Sequence, residues 1–209
     1  MPKLLDQTRI PLDLSEHVTL ALRWRWVLAR RWWLWWRIVW LLECLLKLWR
    51  RLAFTMQAQL QSQWCWAACS TSVSLFYDSA SGWTQCTVVN AELGQATCCQ
   101  NGSTAQCNRP WFLDRALTRT GNLASWSGGT ATIAQIRTEI RAGRPLGVRI
   151  GWSGGGGHFV MIAGYRACDP DSFIDVRDPI FGSSDIALAT FSSSYQGTGS
   201  WTHTYYTEP

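Results

Sequence analysis

The chain is poor in histidine and, beyond its first quarter, has no lysine. His17, His158 and His203 are its three histidines, and Lys47 is its last lysine. Histidine is the side chain that titrates near neutral pH unaided, so any imidazole chemistry falls to one of three positions. Residues 56–209 hold nine Arg against ten Asp or Glu. No basic stripe is left there to neutralise phosphates, which excludes a charge-driven nucleic-acid role for that region. No run of about 20 uninterrupted apolar residues occurs, so no segment reads as a membrane-spanning helix. The apolar stretch near the N-terminus is broken by arginine and lacks a small-residue cleavage pattern, so it does not read as a secretory signal. Paired C-x-x-C spacing is missing as well, and with so few histidines no structural zinc site is expected. No cofactor is expected. No internal repeat of fixed period is visible.

What is present divides at about residue 55. Residues 1–55 carry ten Lys or Arg against four Asp or Glu, and eight of the fifteen tryptophans lie between Trp24 and Trp49. On a helical wheel, residues such as Trp24, Leu28, Trp35, Ile38, Leu42 and Trp49 share one broad face, with most charges opposite. A basic helix with Trp and Leu on one side suits a membrane surface, and residues 20–52 are the candidate for it. Two other readings stay open: a pro-region packed on the following domain, or sequence upstream of an alternative start at Met56.

Residues 56–209 read as one globular domain. Trp66, Cys69, Val73 and Phe76 have helical spacing, which predicts a helix from Cys65 to about Tyr77. A Cys-, Gly- and Asn-rich stretch of loops and short elements follows. Pro110 is expected to open a second helix, with Asp114 in its first turn and Gly121 at its end. Thr132 and Gln135 have capping-box spacing for a third, which Gly143 and Pro145 end. The remainder reads as strands: LGVRIGW, HFVMIAGY, SFIDVRD, ALATFSSSY and SWTHTYYT are rich in β-branched and aromatic residues. Helices first and strands second predict an α+β fold, a helical subdomain packed on an antiparallel sheet subdomain.

The chemistry centres on QSQWCWAACS, residues 61–70. Two tryptophans bracket Cys65, and a small-residue helical run follows. A thiolate is favoured at a helix N-terminus or beside an imidazolium, and Cys65 falls in the first turn of the predicted helix. Its partner is His158, which follows four glycines and heads an apolar strand. His203 alternates within a strand and reads as structural. A third group would orient the imidazole. Asp178, which ends a strand before Pro179 and lies one hairpin beyond His158, is the candidate; Asp175 reads as structural.

The order Gln…CWAA, GHFVMIAGY and DP resembles the papain-like cysteine peptidases. Over residues 56–209 it is most similar to the avirulence-type effector peptidases of bacterial plant pathogens. That resemblance implies peptide-bond hydrolysis through a Cys65–His158–Asp178 triad and a thioester intermediate, on a protein or peptide substrate. It also implies an oxyanion site built from the Cys65 backbone N–H and a glutamine six residues earlier. This spacing lands on Gln59, with Gln61 as second choice. The third member is Asp where papain has Asn, and the Cys-Gly-Ser-Cys spelling of the plant and lysosomal enzymes is not present. An acyltransferase or amidase on the same triad, or a cysteine-stapled binding module, remains the alternative.

Cys69, Cys86, Cys98, Cys99 and Cys107 form a second group. Adjacent Cys98 and Cys99 would point apart and suit two different disulfides. Pairing is open from sequence; one bridge from Cys69 and one from Cys86 is an example. Such bridges imply an oxidising compartment, hence a secreted or host-delivered protein. Cys44 and Cys168 have no assigned role.

Overall fold

The computed structural model describes residues 49–167 and 172–209. The Trp/Arg-rich segment up to residue 48, His17, Cys44 and Cys168 lie outside them; its last residues are described and do not continue a helix, because Arg50 and Arg51 pair as a strand with Tyr165 and Gly164. The described residues form five helices: α1 (Cys65–Tyr77), α2 (Gln85–Leu93), α3 (Leu113–Thr120), α4 (Ile133–Arg141) and α5 (Leu188–Ser194). The strands are β1 (Arg50–Arg51), β2 (Leu123–Gly128), β3 (Leu146–Trp152), β4 (Gly157–Ala167), β5 (Ser172–Asp178), β6 (Gly182–Ala187) and β7 (Gly199–Thr207). All pair antiparallel in one sheet of order β2-β7-β3-β4-β5-β6, with β1 pairing the far end of β4.

Strand β4 shows how the sheet divides the core. Its side chains alternate between faces. Phe159, Met161 and Ala163 pack with α1 and α3 in one cluster, which also holds Trp64, Trp66, Val73 and Leu117. Val160 and Ile162 pack on the other face with Ile136 and Ile140 of α4 and Phe191 of α5. No helix among the described residues is long and apolar enough to cross a membrane.

Helix α1 is buried without a break from Cys65 to Ser74. Its small residues, Ala67, Ala68, Cys69 and Ser70, let neighbouring elements approach closely. Two of its buried hydroxyls turn back onto the helix: Ser70 Oγ donates to the Ala67 carbonyl at 3.1 Å and Ser72 Oγ to the Ala68 carbonyl at 2.7 Å. That satisfies polar groups which would be costly to bury unpaired.

Three expectations need correction. Residues 187–195 are not a strand: β6 ends at Ala187 and α5 follows. Leu188, Phe191 and Tyr195 recur at helical spacing and pack into the core, while Ser192 and Ser193 hydroxyls donate to the carbonyls four residues back. The second helix starts at Leu113, three residues after Pro110, because the chain before it is held elsewhere. Trp66 Nε1 donates to the Arg109 carbonyl at 3.0 Å and Trp111 Nε1 to Glu92 Oε2 at 2.9 Å. Cys69 forms no bridge; it is free and buried, and the disulfides are Cys86–Cys99 and Cys98–Cys107. The adjacent cysteines do enter separate bridges.

Candidate active site

Cys65 is the first residue of α1. The first N–H groups of a helix lack intrahelical acceptors, and no side chain caps this one. The flanking tryptophans fix the approach. Trp64 is 1% exposed and donates through Nε1 to the Cys107 carbonyl at 2.9 Å, while Trp66 is tied to Arg109. The disulfide-closed loop is thereby fastened to both sides of the cysteine.

His158 comes from the sheet. Gly155 and Gly156 have φ of 91° and 84°, a region glycine enters freely. They turn the chain into β4, whose second residue is His158. Antiparallel pairing sets Met161 opposite Arg177, so the start of β4 lies beside the end of β5, where Asp178 stands. His158 Nε2 is 2.9 Å from Asp178 Oδ2, and both side chains are buried. Asp178 Oδ1 accepts from the backbone N–H groups of Ile180 and Phe181 at 2.6 and 2.9 Å. Tyr195 donates its hydroxyl to Oδ2 at 2.8 Å. Trp152 stacks on the imidazole at 6.1 Å between centroids, and Phe181 meets it edge-on at 6.2 Å.

The electrostatics follow from these contacts. Burial disfavours a charged His158, but hydrogen bonds to Asp178 and to Cys65, and the charges of both, outweigh it and push the imidazole up to about 9. Burial alone would raise Asp178, yet the His158 contact and the two backbone donors hold it below its ordinary value. Tyr195 is raised by burial and by the Asp178 charge, so it stays a protonated donor. The Cys69 thiol, one turn past Cys65, is pushed well up by burial.

Gln59 sits on the loop before α1. Its backbone N–H donates to the Pro179 carbonyl at 3.0 Å, which ties the loop to the residue after Asp178. Its Nε2 donates to the Gln61 carbonyl at 2.8 Å, and its buried Oε1 has no partner among the described residues. Gln61 turns its side chain toward Gly102. Gln85, buried at the start of α2, holds this loop through the Ala58 carbonyl, the Gln57 side chain and the Leu60 N–H. Asp175 is gripped by Arg177 through two hydrogen bonds of 2.8 Å.

Cys65 opens onto a cleft of about 730 Å³ walled mainly by aromatic side chains, among them Trp111, Trp126, Phe159 and Tyr205. His203 lines it too, half-buried at Trp126. Sequence reading passed over Gln85, Trp152, Tyr195 and the cleft lining. Their roles depend on contacts between distant segments. Tyr195 alone carried a readable signal, as the third member of the Leu188–Phe191–Tyr195 spacing. Among the described residues no group of three or more His, Cys, Asp or Glu could hold a metal.

A cysteine at the head of a helix and a buried histidine–aspartate pair on an antiparallel sheet are elements found in papain-like cysteine proteases. The fold agrees: a mite allergen structure, described in connection with antibody cross-reactivity between Blo t 1 and Der p 1, superposes with a TM-score of 0.50 at 10% identity. The match covers 75% of this chain and 68% of that one. No curated protein sequence matches. The family of the papain-like cysteine protease AvrRpt2 matches residues 47–196. The chain belongs to that family and is a cysteine peptidase.

Proposed function

We propose that Cys65, His158 and Asp178 act as one unit that hydrolyses peptide bonds of protein substrates. The observation that carries this reading is His158, hydrogen-bonded to the buried Asp178 carboxylate that favours its charged form, with the Cys65 thiol near enough to raise it further. Cys65 Sγ attacks the scissile carbonyl carbon as the thiolate. The oxygen that gains charge is held by the Cys65 backbone N–H and the second Nε2 hydrogen of Gln59. Collapse expels the amine, which takes its proton from His158 and leaves a thioester on Sγ. Neutral His158 then takes a proton from water. The hydroxide attacks the thioester carbon, releasing the acid and restoring the starting pair. Gln59 is favoured over Gln61 because its loop is bonded to Pro179, whereas the Gln61 side chain turns toward Gly102.

The test is thiol labelling near neutral pH. Low iodoacetamide should alkylate Cys65 fast and leave Cys44, Cys69 and Cys168 slow, and Cys65→Ala should lose all turnover. Equal labelling of Cys168, or turnover in Cys65→Ala, would reject the assignment.

The two disulfides fit an oxidising compartment, so the mature protein is read as secreted or delivered. Residues 20–48 are read as a membrane-surface segment on their charge and tryptophan face, since Arg50 and Arg51 are taken up by the sheet. Arg30, Arg31 and Arg37 all changed to Gln should weaken sedimentation with anionic vesicles, and an unchanged partition would dismiss that segment's role.

A further inference from the structure

We propose that Arg149 is a specificity-determining residue of the cleft, selecting peptide substrates with a carboxylate side chain, Asp or Glu, close to the scissile bond. This rests on the peptidase reading above. Arg149 stands on β3, half-buried, and lines the same cleft as Cys65. Its guanidinium lies against Gly157: a Cβ there would meet Nη2 at 2.8 Å and Cζ at 3.0 Å. Glycine at 157 is therefore what leaves room for the guanidinium, and the next residue is His158.

The guanidinium is anchored and incompletely used. Nη1 donates to Thr202 Oγ1 at 3.0 Å. Nε and Nη2 make no hydrogen bond within the described residues, and Arg149 forms no ion pair there. Arg51, Arg119, Arg144 and Arg177 each have a carboxylate partner. A planar fork with a free edge matches a carboxylate in two parallel hydrogen bonds.

The cleft as a whole favours an anion over a cation. It contains two guanidinium groups and one carboxylate, Asp114. Arg115 is occupied above the rings of Trp111 and Phe112, at 5.5 and 5.4 Å. Asp114 and Arg149 are more than ion-pairing distance apart but act on one hydroxyl. Tyr205 is pushed up to about 12 by burial and by the Asp114 charge, against the opposing pull of Arg149. An entering carboxylate thus meets an unneutralised guanidinium between aromatic walls, where low polarity strengthens the attraction.

The probe is a set of peptidyl chloromethyl ketones on the full chain. Members of each pair are identical except for Glu or Gln at one of the three positions before the warhead residue, and the readout is the rate of Cys65 alkylation by intact mass. At one position the Glu reagent should react about tenfold faster or more. Arg149→Gln should bring that ratio to near one, and Asp114→Asn should raise it. If Arg149→Gln loses the native melting transition, Arg149→Lys keeps the charge without the fork, and the ratio should fall while staying above one. A wild-type ratio near one at every position overturns the proposal, as does a ratio that survives intact in Arg149→Gln or, where that variant does not fold, in Arg149→Lys. Failure of the peptidase reading looks different: no reagent of either charge alkylates Cys65, and the proposal falls with it.

Discussion

The half that carries Cys65 and the half that carries His158 and Asp178 are held together by different means. Around Cys65 the chain from Asp78 to Phe112 is loops and the nine-residue helix α2. Two disulfides close it, and Cys98 and Cys107 lie buried beside Trp64. Around His158 the described residues have no covalent link. Strands β3, β4 and β5 pair residue by residue, and Asp178 collects four hydrogen bonds. A loop-rich segment buries little apolar area per residue, so loop-closure entropy removed by disulfides substitutes for packing. A sheet secures its ends through its own ladder. The proposed site joins a cysteine on a covalently braced segment to a hydrogen-bonded histidine, and perturbations of the two halves should differ in kind.

The largest effect is expected from removing the sheet half's contribution to chemistry. His158→Ala should cost activity on the order of 10⁶-fold, as loss of a triad base does. Asp178→Ala should cost about 10²-fold to 10⁴-fold, because Trp152 and Phe181 still hold the ring. The pair also sets a pH window for stability. His158 rises from 6.5 to about 9 on folding, so its contribution is full below pH 6.5 and lost as pH climbs through about 9. Asp178 falls below its ordinary 3.8, so its contribution is present above that value and lost as pH drops through its lowered value. Urea melts from about pH 2 to pH 10 should show both flanks. Asp178→Asn should flatten the alkaline one; an unchanged alkaline flank would mean that His158 does not draw its charge from Asp178.

Much of this architecture is readable in the chain because it rests on local signals. Helix α1 begins at Cys65 as its spacing predicts, and the Thr132–Gln135 capping box is formed. His158 and Asp178 are found together because a hairpin brings the start of one strand to the end of the next. What sequence reading loses is overridden or nonlocal. Cysteine and glycine in residues 81–108 disguise α2, although Thr84 caps it and Gly94, at φ 63°, ends it. Strand β2 is mostly exposed, and it becomes a strand by pairing with β7. The serines of α5 suggest a strand or turn until its buried stripe is counted. Arg149 and His203 reach the cleft only through the order of β3 and β7.

The covalent half should respond in stability before it responds in chemistry. Cys98→Ser with Cys107→Ser should cost about 2–5 kcal/mol, read in thermal unfolding. Hydrogen exchange should rise across 85–107 first and leave β3 to β5 protected. Turnover below the new melting point should fall by less than in Asp178→Ala. Equal loss of protection in both halves would show that the disulfides brace the whole domain rather than one side of the cleft. Non-reducing peptide mapping of the wild type should recover Cys86–Cys99 and Cys98–Cys107 with Cys65 free.

The smallest effect isolates one strut of the hydrogen-bonded half. Tyr195 is 1% exposed and reaches Asp178 from the end of α5, where its ring also packs on Phe191 at 5.0 Å. Tyr195→Phe keeps the ring and removes one donor from a carboxylate that retains His158 and two backbone N–H groups. The cost in unfolding free energy should be about 1–3 kcal/mol, the range for a hydrogen bond to a charged group. Tyr195 touches Asp178 and not the substrate, so it is a positioning residue: kcat should fall a few-fold while KM holds. The profile of kcat against pH should keep its shape if the three remaining contacts still fix the carboxylate. A rise in KM would place Tyr195 against the substrate instead. A loss as large as that of Asp178→Ala would mean that Asp178 depends on this hydroxyl for its position, and that the sheet half is no more redundant than the half held by disulfides.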